Sequence, residues 1–490
     1  MLLRVTRNQE SNMLTRRTFL CNTAKCSAGL ALASSTRGMM YANYPSLAPR
    51  LNGGTPVRVP ANFMGLGYEM SSVATPNLLS ADHHRYVELV RGLGHAGVVR
   101  VGGIVADYTR YDANGMRRAQ PKDTVINRAC IEQFDAFLRK IGWSAIWSVN
   151  FAQGSIEDAV VEAHAVAKTL GPRLLALELG NEVENYGRGA RPFRKPPYSY
   201  EEYRREYDAW RAAILKASPH IRFAAPDTAS SIEWVARTAE DSNGDVQLLT
   251  THYYRGGQKQ GTAEQLLEPD PRLKDALVRL RSISQQSGIP WRMCETNSFF
   301  GGGRPGVSDT MVGALWTLDY MLLLAEYGCS GVNIETGVNQ LGFVSSYSPI
   351  KDDGKGASIA GPPYYGMLAF AAACADCVEI LPIDMDTMGV NVTAYVLGAG
   401  GKPRCAVVVN KDSSHDAHLS LEALGMGDIL ALRLLAASPD SKTGVTFGGS
   451  QVDRDGRWSA KTKERIRGGP VIVDRMSAAV LRSIGPRASI

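Results

Sequence analysis

From Phe63 onward, eight short runs rich in β-branched and apolar residues alternate with longer amphipathic stretches, and this alternation restricts the fold more than any other feature. The runs are Met64–Tyr68, Val98–Val101, Ala145–Asn150, Leu175–Leu179, Arg222–Ala225, Gln247–His252, Trp291–Cys294 and Gly331–Ile334. Helical periodicity fills the gaps, as in His84–Leu93, Ala129–Ile141, Ile156–Leu170, Tyr200–Ala217, Pro271–Ser287 and Ser308–Tyr327. Strand–helix alternation implies parallel βαβ units, and eight such units close a (β/α)8 TIM barrel. A doubly wound open sheet is the competing arrangement, but the first strand–helix turn lacks the glycine pattern of a phosphate-binding loop.

At 490 residues the chain exceeds the roughly 250 that a barrel needs. After about Ala375 the texture changes to short alternating runs, among them Val392–Leu397, Arg404–Val409, Ala417–Leu421 and Ile429–Ala436, ending with Val471–Asp474 and Ala478–Leu481. Gly-, Asp- and Ser-rich turns separate them, the pattern of a C-terminal antiparallel β-sandwich domain. The expected division is a leader over residues 1–42, a catalytic barrel over 43–374 and a β-domain over 375–490. Residues 50–62 are placed to add a strand to that last domain.

The net charge of +6 invites a nucleic-acid partner, yet six of the 54 basic residues and only one of the 48 acidic ones fall in residues 1–42. The remaining 48 and 47 nearly cancel, so the folded part lacks the concentrated basic surface such a partner requires. The leader itself carries Arg16-Arg17 before the mild apolar run Cys26–Ala33 and small residues. That order reads as a twin-arginine export signal, hence a periplasmic or secreted protein. No run reaches the length of a membrane span. Cys130, Cys294, Cys329 and Cys405 lie in apolar surroundings and read as buried thiols. Cys374 and Cys377 form an isolated CxxC with no second pair or histidines to make a zinc site. No metal, phosphate-loop or nicotinamide pattern appears, and no cofactor is expected.

Barrel active sites lie at the C-terminal ends of the strands. The fourth strand runs into Gly180-Asn181-Glu182 and the seventh into Glu295-Thr296-Asn297, which puts two carboxyls across one pocket. Glycoside hydrolysis needs such a pair, one to protonate the leaving oxygen and one to attack or to activate water. Glu69 ends the first strand, Arg100 and Gly102-Gly103 the second with Asp107 beyond, and His252-Tyr253-Tyr254 the sixth. Polar and aromatic groups on one rim suit a sugar, although Arg100 has the purely structural alternative of pairing with Glu178.

These stretches, together with the string Glu295–Gly303 and Pro363-Tyr364-Tyr365, resemble glycoside hydrolase family 79, the β-glucuronidase and heparanase group, over nearly the whole mature chain. The resemblance implies a retaining double displacement with Glu182 as acid/base and Glu295 as nucleophile. It further implies Asn181 on the sugar 2-hydroxyl, Arg100 and Tyr253 on the nucleophile, and Glu69 and Asp107 on hydroxyls at the far side of the ring. Gly301 and Gly302 would offer N–H groups, and Tyr364 its phenol, to a substrate carboxylate. Two departures stand out. Phe300 occupies a place where relatives often carry Tyr, and Ile104 one where the heparanase pattern has a hydroxyl residue.

Three readings follow. The first is an exo-β-glucuronidase that releases terminal glucuronic acid from a glycan. The second is an endo-acting, heparanase-like enzyme on glucuronate-containing polysaccharide, whose basic loop Arg188–Lys195 would meet the acidic chain. The third is a barrel that binds carbohydrate without turnover, a role that has no use for a nucleophile. The enzyme readings predict a bell-shaped pH–rate profile, because an acid and a base act together.

Overall fold

The computed structural model describes residues 46–189, 192–337, 345–352, 357–462 and 464–484. The twin-arginine pattern and Arg191 lie outside them. Eight parallel strands form the central sheet: β1 Gly65–Glu69, β2 Val98–Gly102, β3 Ser144–Val149, β4 Leu174–Leu179, β5 Ala224–Thr228, β6 Leu248–Gly257, β7 Trp291–Phe300 and β8 Val332–Glu335. Hydrogen bonding follows the order β4-β3-β2-β1-β8-β7-β6-β5. The ring closes between β4 and β5 through the parallel bridge Leu177–Phe223. Eight helices alternate with the strands: α1 His84–Gly92, α2 Arg128–Ile141, α3 Ile156–Leu170, α4 Tyr200–Ala217, α5 Ile232–Asp241, α6 Pro271–Ser287, α7 Met311–Glu326 and α8 Pro362–Cys374. Their boundaries follow local chemistry. Asn127 and Ser199 cap α2 and α4 through their side chains, and Asp270 with Pro271 opens α6.

The barrel interior is unusually polar. Branched apolar residues ordinarily fill such a core, but here Arg292 is buried and donates to Asn333 Oδ1 at 2.6 Å and to the carbonyls of Asn62, Phe63 and Val332. A Cβ at Gly331 would meet Arg292 Nη1 at 1.8 Å, so glycine there makes room for the guanidinium. One layer higher, Arg100 fills the centre.

Strands β6 and β7 run beyond the expected His252 and Cys294 and stay paired up to Gly257–Phe300, which lifts a two-stranded ribbon above the rim. The β-formers Tyr253, Tyr254, Thr296 and Phe299 sustain it. The pairing carries a register irregularity between Thr251 and His252.

After α8 the chain builds an antiparallel sheet from β9 Glu379–Leu381, β10 Val392–Ala399, β11 Lys402–Asn410, β12 Ile429–Leu435 and β13 Ser477–Ser483. The short strand Val57–Arg58 joins its edge beside β9, as the segment before the barrel suggested. The opposing layer is thinner than a full sandwich and includes the two-stranded ladder Ala417–Leu419 with Val471–Val473. Period-two alternation serves both faces. Val396, Val408, Ala431 and Leu481 form the core under that ladder, whereas Tyr395, Val407, Val409 and Val480 join the barrel's own core. The sheet therefore covers α7, which is apolar nearly all round with 13 of its 16 residues buried.

Candidate active site

The pocket is organised around the Arg100 guanidinium at the mouth of the barrel. Its Nε donates to Glu178 Oε2 at 3.0 Å, Nη1 to Glu295 Oε2 at 2.8 Å, and Nη2 to Asn181 Oδ1 at 3.0 Å and Asp227 Oδ2 at 2.6 Å. The structural alternative and the functional one thus coexist, since one side chain ties the barrel core to Glu295. Glu178 also accepts from Ser148 Oγ at 2.8 Å.

Glu295 lies inside β7 rather than at its end, opposite His252 of β6. Its second oxygen accepts from the Tyr254 hydroxyl at 2.8 Å. Glu182 follows β4 in a left-handed backbone conformation, φ 50°, uncommon for a non-glycine residue. The bond from its N–H to the carbonyl of Asp227, at 2.8 Å, fixes it there. His252 bridges the two sides of the cluster: Nε2 bonds Asp227 Oδ1 at 2.8 Å, and Nδ1 faces Glu182 Oε1 at 3.3 Å. Oxygens of Glu182 and Glu295 and the His252 nitrogen lie within 4.8 Å of one another. The Glu182 side chain is 34% exposed and that of Glu295 13%, against 1% or less for Glu178 and Asp227. Only the first two can be reached from solvent.

Charge in the pocket is shared among Arg100, His252 and a graded set of carboxyls. Burial would drain the proton from His252, but Asp227, Glu295 and the hydrogen bonds to Asp227 and Glu182 prevail and hold its pKa well above the ordinary value. Asp227 is the mirror case: despite burial, Arg100 and His252 bring it down to about 2. Burial followed by repulsion from Asp227 raises Glu178 to about 7. Burial and then Glu295 push Glu69 up to about 8. Asp107 rises well above the carboxylate range, mainly through burial. The trio Glu182, His252 and Glu295 has the donor types of a metal site. In this structure His252 Nε2 is engaged by Asp227, and Arg100 already supplies positive charge to Glu295.

The remaining expected residues divide. Glu69 reaches the pocket and accepts the Val105 N–H at 2.9 Å. Gly103, at φ 66°, permits this, because a Cβ there would come within 2.2 Å of the carboxyl. Asn181 lines the site and is held by Arg100, while buried Asp107 accepts from the Tyr186 hydroxyl at 2.6 Å. Gly301 and Gly302 follow β7 at φ 86° and 94°, and their N–H groups make no hydrogen bond among the described residues. Two expectations are corrected. Tyr253 turns its hydroxyl away to Asp270 at 2.9 Å, and Tyr254 contacts Glu295 instead. Tyr364 lies buried on α8 and donates to the carbonyl of Leu89 at 2.8 Å, away from the pocket. Arg194 of the basic loop also points inward, bonded to Glu206 and the carbonyls of Phe151 and Ala152.

Four groups escaped the sequence reading: His252 as a bridge, Asp227, Tyr347 and Glu335. The Tyr347 ring stacks on Tyr254 with centroids 6.4 Å apart, and Ser346 donates to the carbonyl of Gly302 at 2.7 Å, so this segment backs the glycine loop. It brings a phenol to the wall where Phe300 has none.

No protein-family model matches the chain. It is similar to a β-glucuronidase of Aspergillus niger, 25% identical over 450 residues that span 79% of each protein. A β-glucuronidase of Neurospora crassa is 27% identical over 320 residues, 56% of this chain and 55% of that one. Among solved structures, a 4-O-α-L-rhamnosyl-β-D-glucuronidase from Fusarium oxysporum superposes with a TM-score of 0.73 at 17% identity, covering 89% of this chain and 99% of that one. A family 51 α-L-arabinofuranosidase from Bifidobacterium longum gives 0.64 at 17% identity, covering 90% and 100%. The shared element in these structures is the fold.

Proposed function

We propose that the chain is a retaining β-glycosidase of family 79 type that hydrolyses β-glucuronides, with Glu182 as acid/base and Glu295 as nucleophile. The observation that carries the reading is how near the two carboxyls come, with one oxygen of Glu182 within 4.8 Å of one oxygen of Glu295. Retaining enzymes place them about 5–5.5 Å apart, and inverting enzymes leave roughly 6.5–9.5 Å for a water. Glu295 attacks the anomeric carbon while Glu182 gives its proton to the departing glycosidic oxygen. Glu182, now a carboxylate, takes a proton from water, whose oxygen displaces Glu295 and restores both groups. Arg100 and Tyr254 orient the two oxygens of Glu295. His252 occupies one oxygen of Glu182, which leaves the other for the leaving group.

The glucuronide part rests on the two similar β-glucuronidases and on glycine N–H groups that have no partner among the described residues and lie beside a tyrosine, donors suited to an anion. Buried Glu69 and Asp107 carboxyls at the far wall favour a pocket for one terminal ring, hence exo action. Export through the Arg16-Arg17 signal belongs to the same proposal.

The test is hydrolysis of 4-nitrophenyl β-D-glucuronide beside the β-glucoside and β-xyloside, with Glu295→Gln as control. The glucuronide is expected to turn over fastest, the variant to lose about 1,000-fold or more in kcat, and NMR to show the β-anomer first. Preference for a neutral sugar would overturn the uronate assignment. Early α-anomer would overturn retention, and no turnover of any glycoside would leave a binding protein.

A further inference from the structure

The mechanism leaves one pocket carboxyl without a task. Glu335 ends β8, where its backbone pairs with Gly67 of β1. It is 4% exposed, and its Oε2 is buried with no hydrogen-bond partner among the described residues. A buried oxygen without a partner is unfavourable, and it marks this carboxyl as one whose hydrogen bonding is incomplete among the described residues. The sequence makes room for it: a Cβ on Gly67 would stand 2.6 Å from Oε2. The carboxyl therefore sits inside the barrel mouth, between the strand that carries Glu69 and the strand that carries Glu295.

Its surroundings decide its form. Burial first, then repulsion from Glu295 and Glu69, lifts its pKa well above the carboxylate range against the opposing pull of Arg100 and His252. Four phenols complete its neighbourhood, Tyr347 and Tyr254 on the pocket side, and Tyr68 of β1 with its partner Tyr86. None of these adds positive charge. The shift runs towards the neutral acid, the form that has an O–H to donate.

The order of atoms around a pyranose says what it would meet. With C1 between Glu182 and Glu295 and the 2-hydroxyl at Asn181 on the β4 side, C3 and C4 point towards Asp107 and Glu69. C5, joined to C1 through the ring oxygen, then returns towards β8 and β7. There Glu335 lies near Tyr347, whose segment backs the glycine loop. We propose that Glu335 is a specificity-determining residue that donates its carboxyl O–H to the carboxylate on C5 of the bound sugar. The inference rests on the glucuronide reading above. An O–H···O⁻ bond of this kind is short and about twice as strong as a neutral one. A glucoside presents only a hydroxymethyl group there, and a xyloside a hydrogen. Ionised Glu335 would instead repel the uronate, so selectivity carries its own alkaline limit.

The experiment compares kcat/KM for 4-nitrophenyl β-D-glucuronide and β-D-glucoside from about pH 4 to about pH 9 in the parent, Glu335→Gln and Glu335→Leu. In the parent, the glucuronide-to-glucoside ratio is expected to fall by about tenfold or more over the alkaline limb. Glu335→Gln keeps a donor that cannot ionise, and its ratio should stay within about threefold across the range. Glu335→Leu should lower the ratio by about tenfold at every pH, since it removes one charge-assisted hydrogen bond. A Gln variant whose ratio tracks the parent curve would overturn the proposal, as would a Leu variant with an unchanged ratio. A parent that ignores the glucuronide sinks the glucuronide reading itself. Turnover of glucuronide with a pH-independent parent ratio sinks only the role of Glu335.

Discussion

Tyr253 and Tyr254 are adjacent and chemically identical, yet one braces a helix and the other holds the pocket carboxylate Glu295. Tyr254 donates to Glu295, so Tyr254→Phe should cut kcat/KM by about 10- to 100-fold, the equivalent of a charge-assisted hydrogen bond of about 1.5–3 kcal/mol. Tyr253→Phe should leave kcat/KM within about twofold and lower stability by about 1 kcal/mol, because Asp270 at the start of α6 loses a donor. Steady-state kinetics and thermal unfolding of the two variants separate the roles. The sequence could not, for a physical reason. Side chains alternate strictly along a regular strand, but the irregularity at Thr251–His252 shifts the register just before the pair. Glu182 and Glu295 were legible because the barrel rule assigns strand ends to the pocket. Asp227 and Glu335 were lost because β5 and β8 run past the expected ends, to Thr228 and Glu335. Tyr364 misled because a tyrosine in a motif gives no sign that its side chain faces the core rather than the pocket.

Among the elements, α7 links the catalytic barrel to the antiparallel sheet, and a single acidic residue on it concentrates the polar contacts. Asp319 Oδ1 accepts from the Thr393 and Tyr395 hydroxyls at 2.6 and 2.8 Å, and Oδ2 pairs with Lys411 Nζ at 2.6 Å. The Lys411 side chain is 5% exposed. Deleting one partner of a buried pair leaves the other charge uncompensated, which costs about 3–5 kcal/mol, whereas replacing both with apolar groups can be nearly neutral. Asp319→Ala should therefore destabilise by roughly 3 kcal/mol in denaturant unfolding, and Lys411→Met in the same chain should restore part of it. If the double variant were less stable than Asp319→Ala, the penalty would not arise from a stranded ammonium. The alternation of β10 and β11 foretold a sheet. Only the hydrophobicity of α7 on every side hinted that the sheet would cover that helix, and a helix buried by a neighbouring domain looks in sequence like any core helix.

For the whole molecule, the buried carboxyls set a direction for stability against pH. Glu162 and Glu178 are raised to about 7 and Glu69 to about 8, with burial the largest cause in each. In the unfolded chain such groups titrate near ~4.3. The folded state therefore holds protons that the unfolded state has released, and this stability is fully present below about pH 4.3 and lost as pH rises through 7 to 8. His252, raised as well, acts in the same sense from about pH 6.5 upward. Asp227, lowered to about 2, works the other way and contributes above about pH 3.9. Together these place maximal stability on the acid side, near pH 4 to 5, and predict a falling unfolding midpoint from there to pH 8. The clean probe is Glu162, which lies on α3 away from the pocket and accepts the Trp147 indole N–H at 2.8 Å. Glutamine keeps that acceptor and cannot ionise. Glu162→Gln should therefore raise stability at pH 8 by roughly 1–3 kcal/mol, change it little at pH 4, and leave turnover intact. Equal gains at both pH values would mean that packing around α3, rather than a buried proton, sets the difference. The same low-dielectric interior raises Glu69 and Glu335 at the pocket. A slope that Glu162→Gln reduces without touching activity would thus separate the scaffold's share of the acid preference from the share belonging to the site.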